Sequence, residues 1–459
     1  MKGLIEITQF IADNLFNQLA IMMALIAFAG LALQKKRIEE AVTGAVKAAI
    51  GVVILTVGVG VFTGELSYFT NIMSSAFGME AAAAPGNMDL FIAKQGGDIA
   101  LVVAFGFLLH IFAVKVLNTK YVYLTAHLMF WFSVLVCAAV MASFPGIGSF
   151  ELVAVSSLIM AAYMTVQPLF MEPLIIKLAK TSSFGYAHTT ASGTWLSMKL
   201  GMFLGKKKQR NVEEIKISKR LDFMKDVNVS SAILVSIVML AAVIMADKEV
   251  VARQAALYDG NINPYVWVFI VGFRFAAGLG ILLYGVRMFL AEIVPAFKGI
   301  SDRIIPGAKP ALDCPAIYPY APTAVQIGFI SATVVYLLLM VIMAAAGWFA
   351  IPPSVLFFGG AACGIAGGVY GGVKGAVLGG AIDGIMMAVG MAVTWPLLAD
   401  TAPQIVWIAN EDYFVMTILL RLLGRPFKEL GNVGVWALPA GIIILSLCYI
   451  SYYKRKQKV

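Results

Sequence analysis

The sequence predicts an all-α, polytopic membrane protein of about eleven transmembrane helices arranged as inverted repeats, and three observations carry that expectation. First, 61% of the 459 residues are hydrophobic and only 13% charged, with a mean hydropathy of +0.88, against roughly 45–50% apolar and about 25% charged in soluble domains. Second, apolar runs of about 20 residues, the length that crosses ~30 Å of hydrocarbon, recur along the whole chain. Third, one pattern is written twice: Gly58-Val59-x-x-Phe62-x-Gly64-Glu65-Leu66 returns as Gly285-Val286-x-x-Phe289-x-Ala291-Glu292-Ile293, displaced by 227 residues. Farther on, Val166-x-Pro168-Leu169 meets Thr394-x-Pro396-Leu397 at a displacement of 228.

Spans are read at 17–34, 43–63, 99–117, 121–144, 150–172, 228–246, 264–289, 322–348, 353–371, 375–398 and 434–453. Residues 1–16 alternate apolar and polar at helical spacing. They are too acidic for a signal peptide and read as an interfacial helix leading into the first span. Orientation follows from Lys and Arg. The loop from Lys206-Lys207-Lys208-x-Arg210 to Lys225, the C-terminal KRKQK and Lys35-Lys36-Arg37 fall on one side if the N-terminus is outside and the C-terminus cytoplasmic. The net charge of +9 is then topology rather than nucleic-acid binding. Arg421, Arg425 and Lys428 fall on the outer side under this scheme, so residues 400–430 are expected to re-enter the membrane in part.

The first motif copy ends span 2 and the second ends span 7. An odd number of spans separates them, so the copies run in opposite directions. Spans 2–5 and 7–10 thus form an inverted repeat, which in transporters places a site at the midplane between corresponding non-helical segments. The offset brings Pro85-Gly86-Asn87 opposite Asp313-Cys314-Pro315. The latter sits in a run with prolines at 310, 315, 319 and 322 that cannot be one continuous helix. An acid in broken backbone at membrane depth is a ligand candidate, so Asp313 is singled out.

Of the three histidines, His127 lies in span 4 and His188 in a polar, glycine-rich stretch that resembles a re-entrant hairpin tip. Both are binding candidates. His110, in span 3 without polar companions, is structural. Lys47 matches Arg274 in the repeat and Glu65 matches Glu292, and such paired charges read as scaffold. Gly359–Gly380 lacks the G-x-x-x-x-G-K-[ST] pattern of a phosphate loop and reads as close helix packing. The four cysteines (Cys137, Cys314, Cys363, Cys448) form no metal or disulfide pattern, and only Cys314 is placed to act as a reactive thiol. No cofactor and no metal site is expected.

The segment from Tyr284-Gly-Val-Arg-Met-Phe-Leu-Ala-Glu-Ile through Gly299-Ile-Ser-x-Arg303-x-Ile-Pro-Gly307 to Asp313-Cys-x-Ala-Ile-Tyr318 resembles the membrane permease, enzyme IIC, of the L-ascorbate phosphotransferase system. Leu124-Thr-x-His127-x-Met-Phe130 and Phe203-Leu-Gly-Lys-Lys207 agree with that family, and the resemblance spans essentially the whole chain. It implies a homodimer in the bacterial inner membrane. A scaffold part (approximately 1–66 and 226–295) would pair the protomers, and a core part (approximately 67–225 and 296–433) would carry sugar across in an elevator motion. The last span, 434–453, is unassigned. It also implies that a separate cytoplasmic enzyme IIB, charged through IIA, phosphorylates the sugar, leaving this chain without catalytic groups of its own.

The family's substrate contacts carry over directly onto His127, His188 and Asp313. Elsewhere the chain departs. Trp131 and Thr189 stand where ascorbate members have glutamines, and Gly86-Asn87 stands near a Thr-Tyr pair. Losing two amides that donate and accept changes which hydroxyl pattern is read, so the expected substrate is L-ascorbate or a related small polyol or sugar acid. The competing expectation is an ion-coupled secondary transporter with Asp313 or Asp383 as the coupling site.

Overall fold

A computed structural model describes residues 19–78, 87–205, 211–214, 226–258, 260, 262–349, 351–352 and 357–457. The expected interfacial helix at 1–16, Gly86 and most of the basic 206–225 loop lie outside the described residues.

A chain surrounded by hydrocarbon has no water to satisfy its backbone, so apolar runs close their own N–H and C=O groups as helices. The helices are α1 (Leu19–Leu33), α2 (Ile38–Ala76), α3 (Met88–Val116), α4 (Ala126–Ser143), α5 (Ser149–Ala179), α6 (Ala191–Leu204), α7 (Val227–Met245), α8 (Lys248–Tyr258), α9 (Pro264–Ile304), α10 (Pro322–Ala345), α11 (Phe357–Thr394), α12 (Glu411–Lys428) and α13 (Asn432–Gln457). Among the described residues, seven helices are long and apolar enough to cross a membrane, and three shorter apolar helices accompany them. Where they fall on described residues, the spans read from the sequence overlap these helices or helical arms in part, with span 4 an exception at its start.

The arms belong to α11, which breaks at Gly372 (φ 60°, ψ −150°), a conformation essentially closed to residues with a Cβ. The chain folds back there. Gly367 faces the Gly375 carbonyl and Gly379 faces that of Cys363, both too closely for any side chain. This explains the glycine density of 359–380 as helix-on-helix packing. Gly372→Ala should cost about 1–3 kcal/mol, read as a lowered thermal midpoint in detergent. An unchanged midpoint would show that the break does not depend on glycine.

The two copies of the repeated motif pack against each other. A Cβ on Gly58 would fall on the Leu282 backbone beside the Gly278 carbonyl, and one on Gly285 on the Leu55 backbone beside the Gly51 carbonyl. Leu282 and Gly278 stand 227 residues after Leu55 and Gly51, so each contact of the crossing has its counterpart under the repeat offset. The charges pair crosswise in the same way: Arg274 Nε reaches Glu65 Oε1 at 2.6 Å and Lys47 Nζ reaches Glu292 Oε1 at 3.8 Å. Helices α1, α2, α7 and α9 pack on one another, whereas α11 packs on α6 and α10, α3 on α5, and α12 on α4.

The structure adds a feature that the all-α expectation did not contain. Strands β1 (Tyr121–Tyr123), β2 (Gly185–Tyr186) and β3 (Lys309–Leu312) form a parallel sheet in the order β1-β3-β2. Tyr121 pairs with Lys309 and Gly185 with Ala311. Span 4 therefore starts late: the β-prone Tyr-Val-Tyr run is a strand, and the helix begins at Ala126.

Three further readings change. Span 5, read as 150–172, is longer: α5 passes through Pro168 and runs on to Ala179, whereas its repeat counterpart Pro396 falls just after the end of α11. His110 has polar companions after all: its Nε2 accepts the Tyr123 N–H at 3.0 Å, so Nδ1 carries the proton toward Thr165 Oγ1 at 2.9 Å. It is a structural tie between α3 and β1. Cys314 is fully buried with its Sγ 3.1 Å from Tyr318 Oη, which removes it as an accessible thiol.

Candidate functional site

Three parallel strands point their C-terminal ends at one place, and each hands its chain to a helix start. Thr125 precedes α4, His188 precedes α6, and Asp313 caps the 3-10 turn Cys314–Ala316 that leads to α10. Short backbone bonds weld the strand ends together: Leu124 N to Ala311 O at 3.1 Å and Ala187 N to Leu312 O at 2.7 Å. Thr125 Oγ1 adds a bond to Ala187 O at 2.6 Å. Side chains just past the strand ends are thereby fixed relative to one another although they lie far apart in sequence.

Those side chains are His127, His188 and Asp313. His127 Nε2 lies 3.7 Å from Asp313 Oδ2, and His188 Nε2 lies 3.6 Å from Asp313 Oδ1. Both separations exceed a direct N–H···O bond of about 2.7–3.2 Å. The three groups thus surround a common space and keep hydrogen-bonding capacity toward it. Asp313 Oδ1 also takes the Cys314 N–H at 2.7 Å, the bond of an N-cap. The His188 ring is set by its backbone, because Thr190 N donates to Nδ1 at 3.2 Å. Nε2 therefore bears the hydrogen and faces the carboxylate. His127 Nδ1 is buried without a partner. The starts of α4, α6 and the 3-10 turn add their positive dipole ends.

The remaining candidates fall into three groups. Thr189 is fully buried, but its hydroxyl accepts from Asn410 Nδ2 at 3.1 Å and its carbonyl from Asp412 N at 2.9 Å. It serves first to join the tip before α6 to the start of α12. Trp131 lies one turn beyond His127 on α4, buried, edge-on to Phe130 with ring centroids 4.8 Å apart. Asn87 is exposed and its Oδ1 accepts the Leu90 N–H at 3.0 Å as the cap of α3. Gly86 lies outside the described residues.

Several polar residues around the tip were not anticipated. Asp412, on α12, receives the Ser192 N–H at 2.6 Å and the Tyr163 hydroxyl at 2.6 Å. With the Thr189 contacts, this clasps the His188 tip to α5 and α12. Gln167, buried on α5, reaches the His188 carbonyl with Nε2 at 3.4 Å and keeps Oε1 unpartnered. An intramembrane Gln beside the hairpin His is the signal that could have found it. The stretch 400–430, expected to re-enter in part, forms one 3-10 turn (Pro403–Trp407) and helix α12, with Arg421 of α12 bonding the Ala142 carbonyl near the end of α4. His188, Asp313 and Cys314 also bring ligand atoms within 4.8 Å of one another. The thiol, however, is engaged by Tyr318, and the donor set fits hydroxyl recognition better than a metal.

Comparison with known proteins places the chain in a family. The profile of the family described as "PTS system sugar-specific permease component" (EIIC-GAT) matches residues 14–412. The chain is also similar to the "Ascorbate-specific PTS system EIIC component" of Mycoplasma pneumoniae, at 26% identity over 413 residues. That match covers 78% of this chain and 62% of the relative.

Proposed function

Because the chain belongs to the EIIC-GAT family of PTS sugar-specific permease components, we propose that it imports L-ascorbate or a related small polyol or sugar acid, with phosphorylation by a separate enzyme IIB fed by IIA. Membership makes it the multi-pass membrane component of a phosphotransferase transporter. The observation that carries the finer reading is the convergence of His127, His188 and Asp313 around one space at the ends of three parallel strands. Two imidazole N–H groups and one carboxylate complement vicinal hydroxyls, which donate to the acid and accept from the rings. Neither histidine is a catalytic group in this scheme. The chain supplies position and access, and the phosphoryl chemistry stays on IIB.

The reciprocal packing of Gly58 and Gly285, with the crosswise Arg274–Glu65 and Lys47–Glu292 pairs, supports an inverted repeat of spans 2–5 and 7–10 in an eleven-span chain with its N-terminus outside. In this reading α1, α2, α7 and α9 form the scaffold of a homodimer. Helices α3–α6 and α10–α12 carry the site as the moving part of an elevator. The expected boundaries at 66 and 295 fall inside α2 and α9, so the motion is taken up at the ends of these helices.

The test is uptake into vesicles containing the purified chain. Labelled L-ascorbate should accumulate only when IIA, IIB and a phosphoryl donor are enclosed, and it should be recovered as the phosphate. A parallel binding screen against pentitols and hexitols fixes the ligand. Accumulation of unmodified solute driven by a proton or sodium gradient alone would replace this reading with the secondary-transport one.

A further inference from the structure

Outside the His127–His188–Asp313 cluster, a second set of ionisable groups converges where no substrate contact is assigned. Cys363 from the outgoing arm of α11, Asp383 from its returning arm and Glu411 from the start of α12 bring their side-chain ligand atoms within 4.8 Å of one another. All three are fully buried at 0% exposure. Both oxygens of Asp383 and Oε2 of Glu411 have no hydrogen-bond partner, while Glu411 Oε1 faces Cys363 Sγ at 3.4 Å. The neighbouring backbone leaves room for these carboxyls in particular. A Cβ on Gly359 would strike Asp383, and one on Gly193 would strike Glu411. Two glycines on different elements thus form the walls of the chamber.

Ionisable groups of several packed elements face the pair among the described residues. They are Cys363 on α11, Tyr336 on α10, Asp412 on α12 and Cys314 in the 3-10 turn. From α6 come the hydroxyls of Thr194 and Ser197. None is a cation. Two ionised carboxylates so enclosed would each lose their hydration with none of these groups as a counter-charge, and would repel each other. One shared proton removes half the charge and turns one carboxyl into a donor for an otherwise orphaned oxygen of the other.

We infer that Asp383 and Glu411 form a proton-binding site that holds one hydrogen ion between them in the folded protein. Occupancy is linked to the transport site through the chain itself. Glu411 is followed by Asp412, whose N–H holds Thr189 and whose carboxylate holds Ser192, both in the turn and helix start that directly follow His188. Loss of the proton would place a second charge behind this clasp and loosen it. The inference does not depend on which solute the protein carries.

The test uses the purified full-length chain without substrate. Infrared spectroscopy should show a protonated-carboxyl C=O band at pH 7 that shifts in heavy water and is absent from Asp383→Asn/Glu411→Gln. The sign of the stability effect follows from linkage. The folded state keeps a proton that the unfolded chain releases, so stability is greatest at low pH and falls as pH rises, by up to about tenfold in the folding constant per pH unit. The wild-type thermal midpoint should therefore fall relative to the double variant between about pH 5 and pH 8. Absence of the band, or parallel midpoint curves, overturns the proposal. So does a midpoint raised by Zn²⁺ or Na⁺ and lowered by a chelator, which would make the occupant a metal ion. If the double variant does not fold, the wild-type band and its change in Glu411→Gln alone decide.

Discussion

Asp313→Asn is expected to lower the affinity of the purified protein for L-ascorbate by roughly 10- to 100-fold while leaving its thermal midpoint unchanged. The magnitude follows from hydrogen bonds to a charged partner, worth about 1.5–3 kcal/mol, at 1.4 kcal/mol per tenfold. The selectivity of the effect follows from the local structure. Asp313 Oδ1 caps the 3-10 turn through the Cys314 N–H at 2.7 Å, and asparagine caps as well as aspartate, so the fold keeps its bond. What is lost is the charge between the two imidazoles at 3.6 and 3.7 Å. His127→Ala should weaken binding with little effect on stability, since Nδ1 has no hydrogen-bond partner and Nε2 faces only Asp313. His188→Ala should do both, because the Thr190 N–H loses its acceptor. Undiminished affinity in Asp313→Asn would remove this carboxylate from the substrate site.

Much of this architecture could be read in the residues. Long apolar runs become helices because hydrocarbon leaves the backbone no alternative, and the α11 hairpin followed from two runs separated by Gly372. The four scaffold charges stood out through the repeat offset, since Lys47 and Glu65 stand 227 residues before Arg274 and Glu292, but their crosswise partners came from the structure. His127, His188 and Asp313 stood out as polar groups in apolar or broken surroundings, and the structure gathers them. The strands that gather them did not stand out. At two to four residues each they are too short for periodicity to register, and they pair across 188 positions for Tyr121 and Lys309 and 126 for Gly185 and Ala311. The clasp at Asp412 was hidden for another reason. Helix α12 carries Glu411, Asp412, Arg421, Arg425 and Lys428, and a hydropathy reading discounts such a segment even though its first turn is buried in the core.

The repeat invites the expectation that equivalent residues matter equally, and burial argues otherwise for the two ion pairs. The cations are similarly exposed, Arg274 at 49% and Lys47 at 57%, but the acids differ: Glu65 is 2% exposed and held at 2.6 Å, whereas Glu292 is 22% exposed at 3.8 Å. Removing Arg274 leaves the buried Glu65 charge uncompensated, which in a fully buried pair costs about 3–5 kcal/mol and here less, because Arg274 is itself half exposed. An exposed pair contributes about 0–1 kcal/mol. Arg274→Ala should therefore lower the thermal midpoint substantially and Lys47→Ala barely. Part of the Arg274 loss comes from its packing over the Tyr258 ring, whose centroid lies 5.1 Å from Cζ. Adding Glu65→Gln to Arg274→Ala separates the two terms. The neutral amide removes the stranded charge, so the double variant should recover most of the electrostatic loss and leave only the packing deficit. Equal effects of Arg274→Ala and Lys47→Ala, or no recovery on adding Glu65→Gln, would show that burial does not set the difference between these equivalent positions. The asymmetry also bears on mechanism. If α2 and α9 form the static scaffold, Arg274→Ala should lower stability without altering the preference of the site among solutes, because the pair holds two scaffold helices together and touches none of the groups at the strand ends.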